Sequence, residues 1–248
     1  RRIRMPRRIT PDTEASARKC PVCLMAVTHE RFAGKKVEMP ETDLSLRVTS
    51  LVNRERQTLY YDVVTCPACS YSALESDFDR AKQARSALGK NKTECLSALK
   101  KIGIKDLKLF TEPRGLRQAI GSYVCAEIWY ESRTDLGGRM FRLGQCAYRL
   151  IWLASDALEE GWMTKGDARN DQVQLSRVAE SWLEQSFLCE KFPARFHFGP
   201  DVSLDFGHTS LSYMVSWLNL LLSKISDEDA AVRQVYLQKS EKYGIAAA

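Results

Sequence analysis

Four cysteines fall into two copies of one tetrapeptide form, Cys-Pro-x-Cys: "KCPVCL" at 19–24 and "TCPACS" at 65–70. A turn of this length points two thiolates at one ion about 2.3 Å from each sulfur, and two such turns complete a tetrahedron. Proline after the first ligand fixes φ and helps to pre-form the turn. Cys20, Cys23, Cys66 and Cys69 are therefore expected to hold one structural zinc ion, with no open position for catalysis. The 42 residues between Cys23 and Cys66 exceed a compact ribbon spacing of about 15–20. The cost is small, because loop-closure entropy grows only logarithmically with length. A single Cys-Pro-x-Cys would also suit a thioredoxin-like redox pair, but two matched copies with no βαβ pattern around either favour the metal. Ribbon knuckles commonly place glycine after the second cysteine, where φ turns positive. Leu24 and Ser70 stand there instead, so mild strain or a shifted geometry is expected.

The remaining chemistry-bearing residues are sparser. Cys95, Cys125, Cys146 and Cys189 are single and sit in helical patterns, where a thiol serves as a small core hydrophobe. A chain of this length with no secretory apolar run is not a disulfide scaffold, and a reducing cytoplasm is expected. His197 and His208 lie in "RFHFGP" and "DFGHTS" with Asp201 and Asp205 between them. Such a set could bind a metal or move protons. With no phosphate loop, nucleophile elbow or kinase signature beside it, the bland reading is a loop crossing the end of a bundle, and the chain is expected not to be an enzyme.

The elements that position the cysteines follow from pattern and charge. The formal charge is +6, but residues 1–19 carry seven basic against two acidic side chains, leaving +1 for the rest. Residues 1–18 thus read as a basic extended arm, with Arg1, Arg2, Arg4, Arg7 and Arg8 available to a polyanion or an acidic protein surface. Residues 19–74 read as a zinc ribbon. Short strands are expected in "KKVEMP", "LSLRVTSLV" (Leu44, Leu46, Val48 and Ser50 on one face) and "TLYYDVVT", the last delivering Cys66. Tyr60 and Tyr61 are expected to form the small core of the knuckle rather than to stack on bases.

Residues 75–248 read as a helical-hairpin domain. Leu74, Phe78, Ala81, Ala84 and Leu88 have the spacing of an amphipathic helix. Further helices are expected in "KTECLSALKKIG", after an N-cap at Thr111 with Pro113 in the first turn, and in "GGRMFRLGQCAYRLIWLASDALEEG". Val173, Leu175, Val178, Trp182, Leu183 and Phe187 mark the inner face of the next. A final pair follows at 209–224 and in "SDEDAAVRQVYLQKSEKYG", where Ser226 and Asp229 resemble a capping box. Trp152, Trp182 and Trp217 are expected to be buried. The stretch 211–225 is broken by Ser216 and Asn219 and falls short of the roughly 20 residues that cross a bilayer, so no membrane insertion is expected. The fold class is α+β, mainly α: a small β zinc ribbon followed by an antiparallel helical bundle or short tetratricopeptide-like solenoid.

"CPVC" followed by "YYDVVTCPACSYSALESDF" and helical hairpins resembles the uncharacterised bacterial family known as domain of unknown function 2225. The matching positions are Cys20, Cys23, Tyr61, Asp62, Val63, Cys66, Cys69, Tyr71, Ala73, Asp77 and Phe78. The likeness is specific over residues 19–80 and rests on pattern alone to about 190. It implies a cytoplasmic zinc-ribbon and helical-repeat protein and brings no activity with it. Two functions fit these residues: a non-catalytic adaptor or scaffold for a protein partner or assembly, favoured by the near-neutral body, and a nucleic-acid or ribosome binder using the arm and ribbon.

Overall fold

A computed structural model of the chain describes residues 13–32, 44–45, 47, 59–80, 82–110, 114–134, 136–190, 196–197, 203–204 and 207–247. Two short antiparallel hairpins open the fold: β1 (Thr13–Lys19) with β2 (Ala26–Phe32), and β3 (Val63–Thr65) with β4 (Ser72–Leu74). Among the described residues six long α-helices follow: α1 (Leu88–Lys101), α2 (Leu116–Glu131), α3 (Arg139–Glu159), α4 (Lys165–Cys189), α5 (Gly207–Ile225) and α6 (Ala230–Ala247). A two-stranded pair, β5 (Phe196–His197) with β6 (Ser203–Leu204), lies between α4 and α5. The mainly α fold with a β ribbon at its start is as the sequence predicts. None of the described helices is long and apolar enough to cross a membrane.

Successive helices pack on one another, as in a solenoid. Polar contacts fix their sense. Glu190, just past α4, accepts hydrogen bonds from the Met140 and Phe141 amides at the start of α3 (2.9 and 3.1 Å). A carboxylate there satisfies orphan amides and meets the positive end of the helix dipole. The two helices must therefore run antiparallel. Asn91 Nδ2 reaches Ser132 Oγ at 2.7 Å, joining the start of α1 to the end of α2. Ser212 Oγ donates to the Tyr243 carbonyl at 2.7 Å, joining the start of α5 to the end of α6. Gly144 on α3 lets α4 approach closely: a Cβ there would lie 2.5 Å from Leu183 Cδ2.

The β3–β4 hairpin is part of this packing. Phe78, Val63, Val64, Tyr71 and Ala73 belong to the same continuous apolar core as Trp129, Tyr123 and Leu143. Its two feet are clipped to one helix, Asp62 to Arg149 and Asp77 to Arg142, both arginines on α3. Arg142 is bidentate, with its second contact at 2.8 Å, and Tyr130 donates to Asp77 Oδ2 at 3.0 Å. Burial pulls the Arg149 guanidinium down to about 9, which still leaves it charged at neutral pH.

Several expectations need correction. Residues 74–88 are not an amphipathic helix; they are the end of β4, a turn and two 3₁₀ segments, Phe78–Arg80 and Lys82–Ala87. Asp77 and Phe78 serve as anchors, and their contacts with α2 and α3 override local propensity. Residues 13–18, assigned to the arm, are nearly all of β1, because Arg18 is held by Glu75 at 2.5 Å and the strand pairs fully with β2. The other arm residues, with Arg1, Arg2, Arg4, Arg7 and Arg8, lie outside the described residues. So do Leu46, Val48, Ser50, Thr111 and Pro113.

Leu44 sits in an exposed turn, not on a strand; beside it, the Ser45 carbonyl accepts from Tyr148 (2.8 Å) and Ser45 Oγ from Trp152 (3.1 Å). The strand drawn over 58–65 shortens to 63–65, with a helical turn at 59–61 whose Tyr61 hydroxyl accepts from the Arg114 amide. Asp229, not Ser226, caps α6, since its carboxylate takes the Val232 amide at 2.9 Å. Trp152 is buried, but Trp182 and Trp217 are only partly so, and Val178 and Cys189 are exposed. These residues lie on α4 and α5, each packed between two neighbouring helices, at positions those neighbours do not fully cover.

Breaking one clip should loosen the hairpin from the helices. Asp77→Ala leaves Arg142 and Tyr130 without their acceptor and is expected to destabilise by about 3 kcal/mol. Asp77→Asn, which keeps an acceptor, should cost less; denaturant midpoints of the two variants check this.

Candidate metal centre

Each Cys-Pro-x-Cys sits at the tip of one hairpin, and the two tips are copies. In the first, the Cys20 amide donates to the Met25 carbonyl (2.8 Å) and the Leu24 amide to the Cys20 carbonyl (2.9 Å). In the second, the Cys66 amide donates to Tyr71 (2.8 Å) and the Ser70 amide to Cys66 (2.9 Å). Strand registers agree too: Lys19 faces Ala26, and Thr65 faces Ser72. Every equivalent pair is 46 positions apart. Leu24 and Ser70 are the only described non-glycine residues with positive φ, at 67° and 58°. The strain expected from the missing glycines is present at both knuckles.

The tips meet. All four sulfurs lie within 4.8 Å of one another, with Cys20–Cys69 at 3.7 Å and Cys23–Cys66 at 3.6 Å. Those separations are far too long for S–S bonds and close to the edge, about 3.8 Å, of a tetrahedron with 2.3 Å bonds. Three of the sulfurs are buried and the fourth, Cys23, is partly so. Backbone amides support the charged form: those of Val22 and Cys23 face Cys20, that of Ala68 faces Cys66, and that of Tyr71 faces Cys69.

Hydrogen bonds from Cys66 and Cys69 push Cys20 down to about 2. The bond to Cys20 pushes Cys66 up to about 12, and Cys69 is raised further by its bonds to Cys20 and Cys66. The thiols are close enough to share protons across the cluster. A bound metal ion would replace those protons, so the four residues can hold one. Among the described residues this is the one such group of side chains.

Cations outside the cluster brace the turns. Lys92 Nζ donates to the Ala68 carbonyl (3.0 Å) and Arg85 Nε to the Pro21 carbonyl (3.2 Å). Trp129 on α2 donates its indole N–H to the Ser70 carbonyl (3.0 Å) and sets its ring edge-on to Tyr71, 5.1 Å between centroids. Tyr71 also packs on Phe78 and donates to the Phe78 carbonyl (3.3 Å). Sequence reasoning singled out the four cysteines that the structure brings together but missed Trp129, Arg142 and Arg149. A signal existed: two arginines seven apart in the apolar run "FRLGQCAYRLIWL" share a helix face and need buried acidic partners. The ribbon motif offers Asp62 and Asp77. Of the other candidates, His197 is on β5 and His208 in the first turn of α5, while Asp201 and Asp205 lie outside the described residues.

Cys66→Ser is expected to lose the metal and unpair the ribbon while most helical signal persists, read by metal analysis and circular dichroism. Leu24→Gly removes a side chain from a left-handed position and should stabilise by about 1 kcal/mol. Ser70→Gly should gain less, because it forfeits the 2.6 Å hydrogen bond from Ser70 Oγ to the Cys69 carbonyl.

A family profile described as "uncharacterized protein conserved in bacteria", domain of unknown function 2225, matches residues 15–243. An uncharacterised protein of Borreliella burgdorferi is 22% identical over 228 residues, covering 88% of this chain and 80% of its own length. No solved structure matches the chain. The matched range takes in both knuckles and the helices through most of α6, and the chain belongs to this bacterial family, domain of unknown function 2225.

Proposed function

We propose that the four thiolates hold one structural zinc ion and that the protein acts as a non-catalytic adaptor, binding or scaffolding a protein partner. Four soft thiolate donors with paired knuckles suit zinc, and they leave no coordination position for water or substrate. The observation that carries the adaptor reading is where the motif side chains are spent. Tyr61, Asp62, Tyr71, Asp77 and Phe78 all face the helices, so the ribbon's aromatic and acidic groups serve docking within the chain. At its first tip the ribbon turns two large apolar side chains outward, Leu24 and Met25. The excess charge counted for the N-terminal segment is also partly neutralised, since Arg18 pairs with Glu75 and Asp79. The arginines at 1, 2, 4, 7 and 8 would add contacts to an acidic partner. Four clustered thiols and buried free cysteines support a reducing compartment, and the cytoplasm is the compartment this reading takes.

The test is capture of partners on tagged full-length protein, with and without nuclease. Protein partners that survive nuclease are expected; partners that vanish with it would replace the adaptor by a nucleic-acid binder. Elemental analysis of protein purified without chelator is expected to give one zinc per chain, and a metal-free result would end the zinc assignment.

A further inference from the structure

The two knuckles are alike in backbone and ligands, and they differ in what covers them. Ser70 and Tyr71 are 0% and 1% exposed, beneath Trp129 of α2. Their counterparts Leu24 and Met25 are 47% and 57% exposed. At the next position, Ser72 is buried and its counterpart Ala26 is exposed. The inner positions match again, Val27 and Ala73 each being 1% exposed. The first knuckle thus carries the same turn, presented outward, with two large apolar side chains where the second has a lid.

Leu24 is also the wrong residue for its backbone. A β-carbon in the left-handed region is strained, and glycine would remove the strain. At Ser70 the buried hydroxyl has a hydrogen bond to make. At Leu24 the side chain remains 47% exposed, so packing within the chain offsets its strain only in part. Strain kept at an exposed apolar residue marks a contact made outside the chain.

The surroundings state the chemistry of the partner. Lys19, cross-strand from Ala26, is exposed and has no ion-pair partner among the described residues. Arg85 is exposed beside the turn, its Nε on the Pro21 carbonyl. The apolar tip is therefore rimmed by cations. We propose that Leu24, Met25 and Ala26 form a docking surface for an acidic, indole-bearing helix of another protein, which covers the first knuckle as α2 covers the second. Its tryptophan would lie on Met25 and donate to the Leu24 carbonyl, as Trp129 does at Tyr71 and Ser70, and its carboxylates would face Lys19 and Arg85. This rests on the adaptor reading and names its surface.

The test uses full-length, metal-loaded, ¹⁵N-labelled protein titrated with a stapled helical peptide carrying one tryptophan flanked by glutamates. Amide shifts are expected to centre on residues 24–26. Binding should weaken roughly tenfold or more in Leu24→Gly/Met25→Ser. Replacing the tryptophan by alanine, or the glutamates by lysine, should weaken it similarly. The double variant should keep its metal and at least wild-type stability, which separates lost contact from lost fold. Shifts centred elsewhere, or binding unchanged in the double variant, would overturn the proposal. So would a single-stranded RNA that perturbs residues 24–26 where the peptide does not. Nuclease-resistant capture run on both proteins separates the two readings. Equal capture by wild type and double variant sinks this surface alone, whereas no such capture by wild type sinks the adaptor itself.

Discussion

The clamping of one β-hairpin across two turns of α3 is the constraint on which the rest of the ribbon depends. Asp62 and Asp77 stand at the two feet of β3–β4, and Arg149 and Arg142 receive them from a single helix face. A pair of ion pairs on one rigid helix fixes both the position and the rotation of the hairpin. Cys66 and Cys69 are thereby presented at a set place above α1 and α2, where Lys92 and Trp129 brace the turn. The sulfurs then act as a socket for the other hairpin, which is also tied down by Arg18 on Glu75 and Asp79, by Arg85 on the Pro21 carbonyl, and by Val22 and Val27 in the core. A metal held by all four thiolates carries rigidity from the clamped hairpin to the other one. Metal binding energy of this kind is folding energy.

The same division explains the uneven chemistry of the two knuckles. Buried ion pairs are a poor source of net stability, since desolvation offsets much of their attraction. Their use here is to fix where the hairpin sits on the apolar core that it shares with the helices. The second knuckle, once docked, needs small or hydrogen-bonding residues, hence Ser70, Ser72 and Tyr71. The first is released from that demand, and its large apolar residues face outward.

The clustered cysteines were legible because metal geometry imposes its own spacing: two Cys-Pro-x-Cys turns have few other uses. The helix α3 was legible because a 3.6-residue apolar period persists through it, whereas α6, with Tyr243 as its one buried residue, was legible from the capping residues before it. Positive φ at Leu24 and Ser70 was legible from where glycine was absent. What could not be read depends on contacts distant in sequence. Residues 74–88 have helical spacing, yet Asp77 and Phe78 are pinned by Arg142, Tyr130 and Tyr71. Asp229 rather than Ser226 caps α6, because Ser226 still continues the backbone hydrogen bonding of α5, its amide on the Leu222 carbonyl. Trp182, Trp217 and Val178 follow the apolar period correctly, but periodicity cannot tell how much of a helix face its neighbours cover.

The account stands on one closed tetrathiolate ion joining two equivalent knuckles. X-ray absorption at the zinc edge of the full-length protein, purified without chelator, measures that shell directly. Four sulfur scatterers at about 2.3 Å, with no nitrogen or oxygen in the first shell, is the predicted result. A shell containing light-atom ligands, or fewer than four sulfurs, would contradict it.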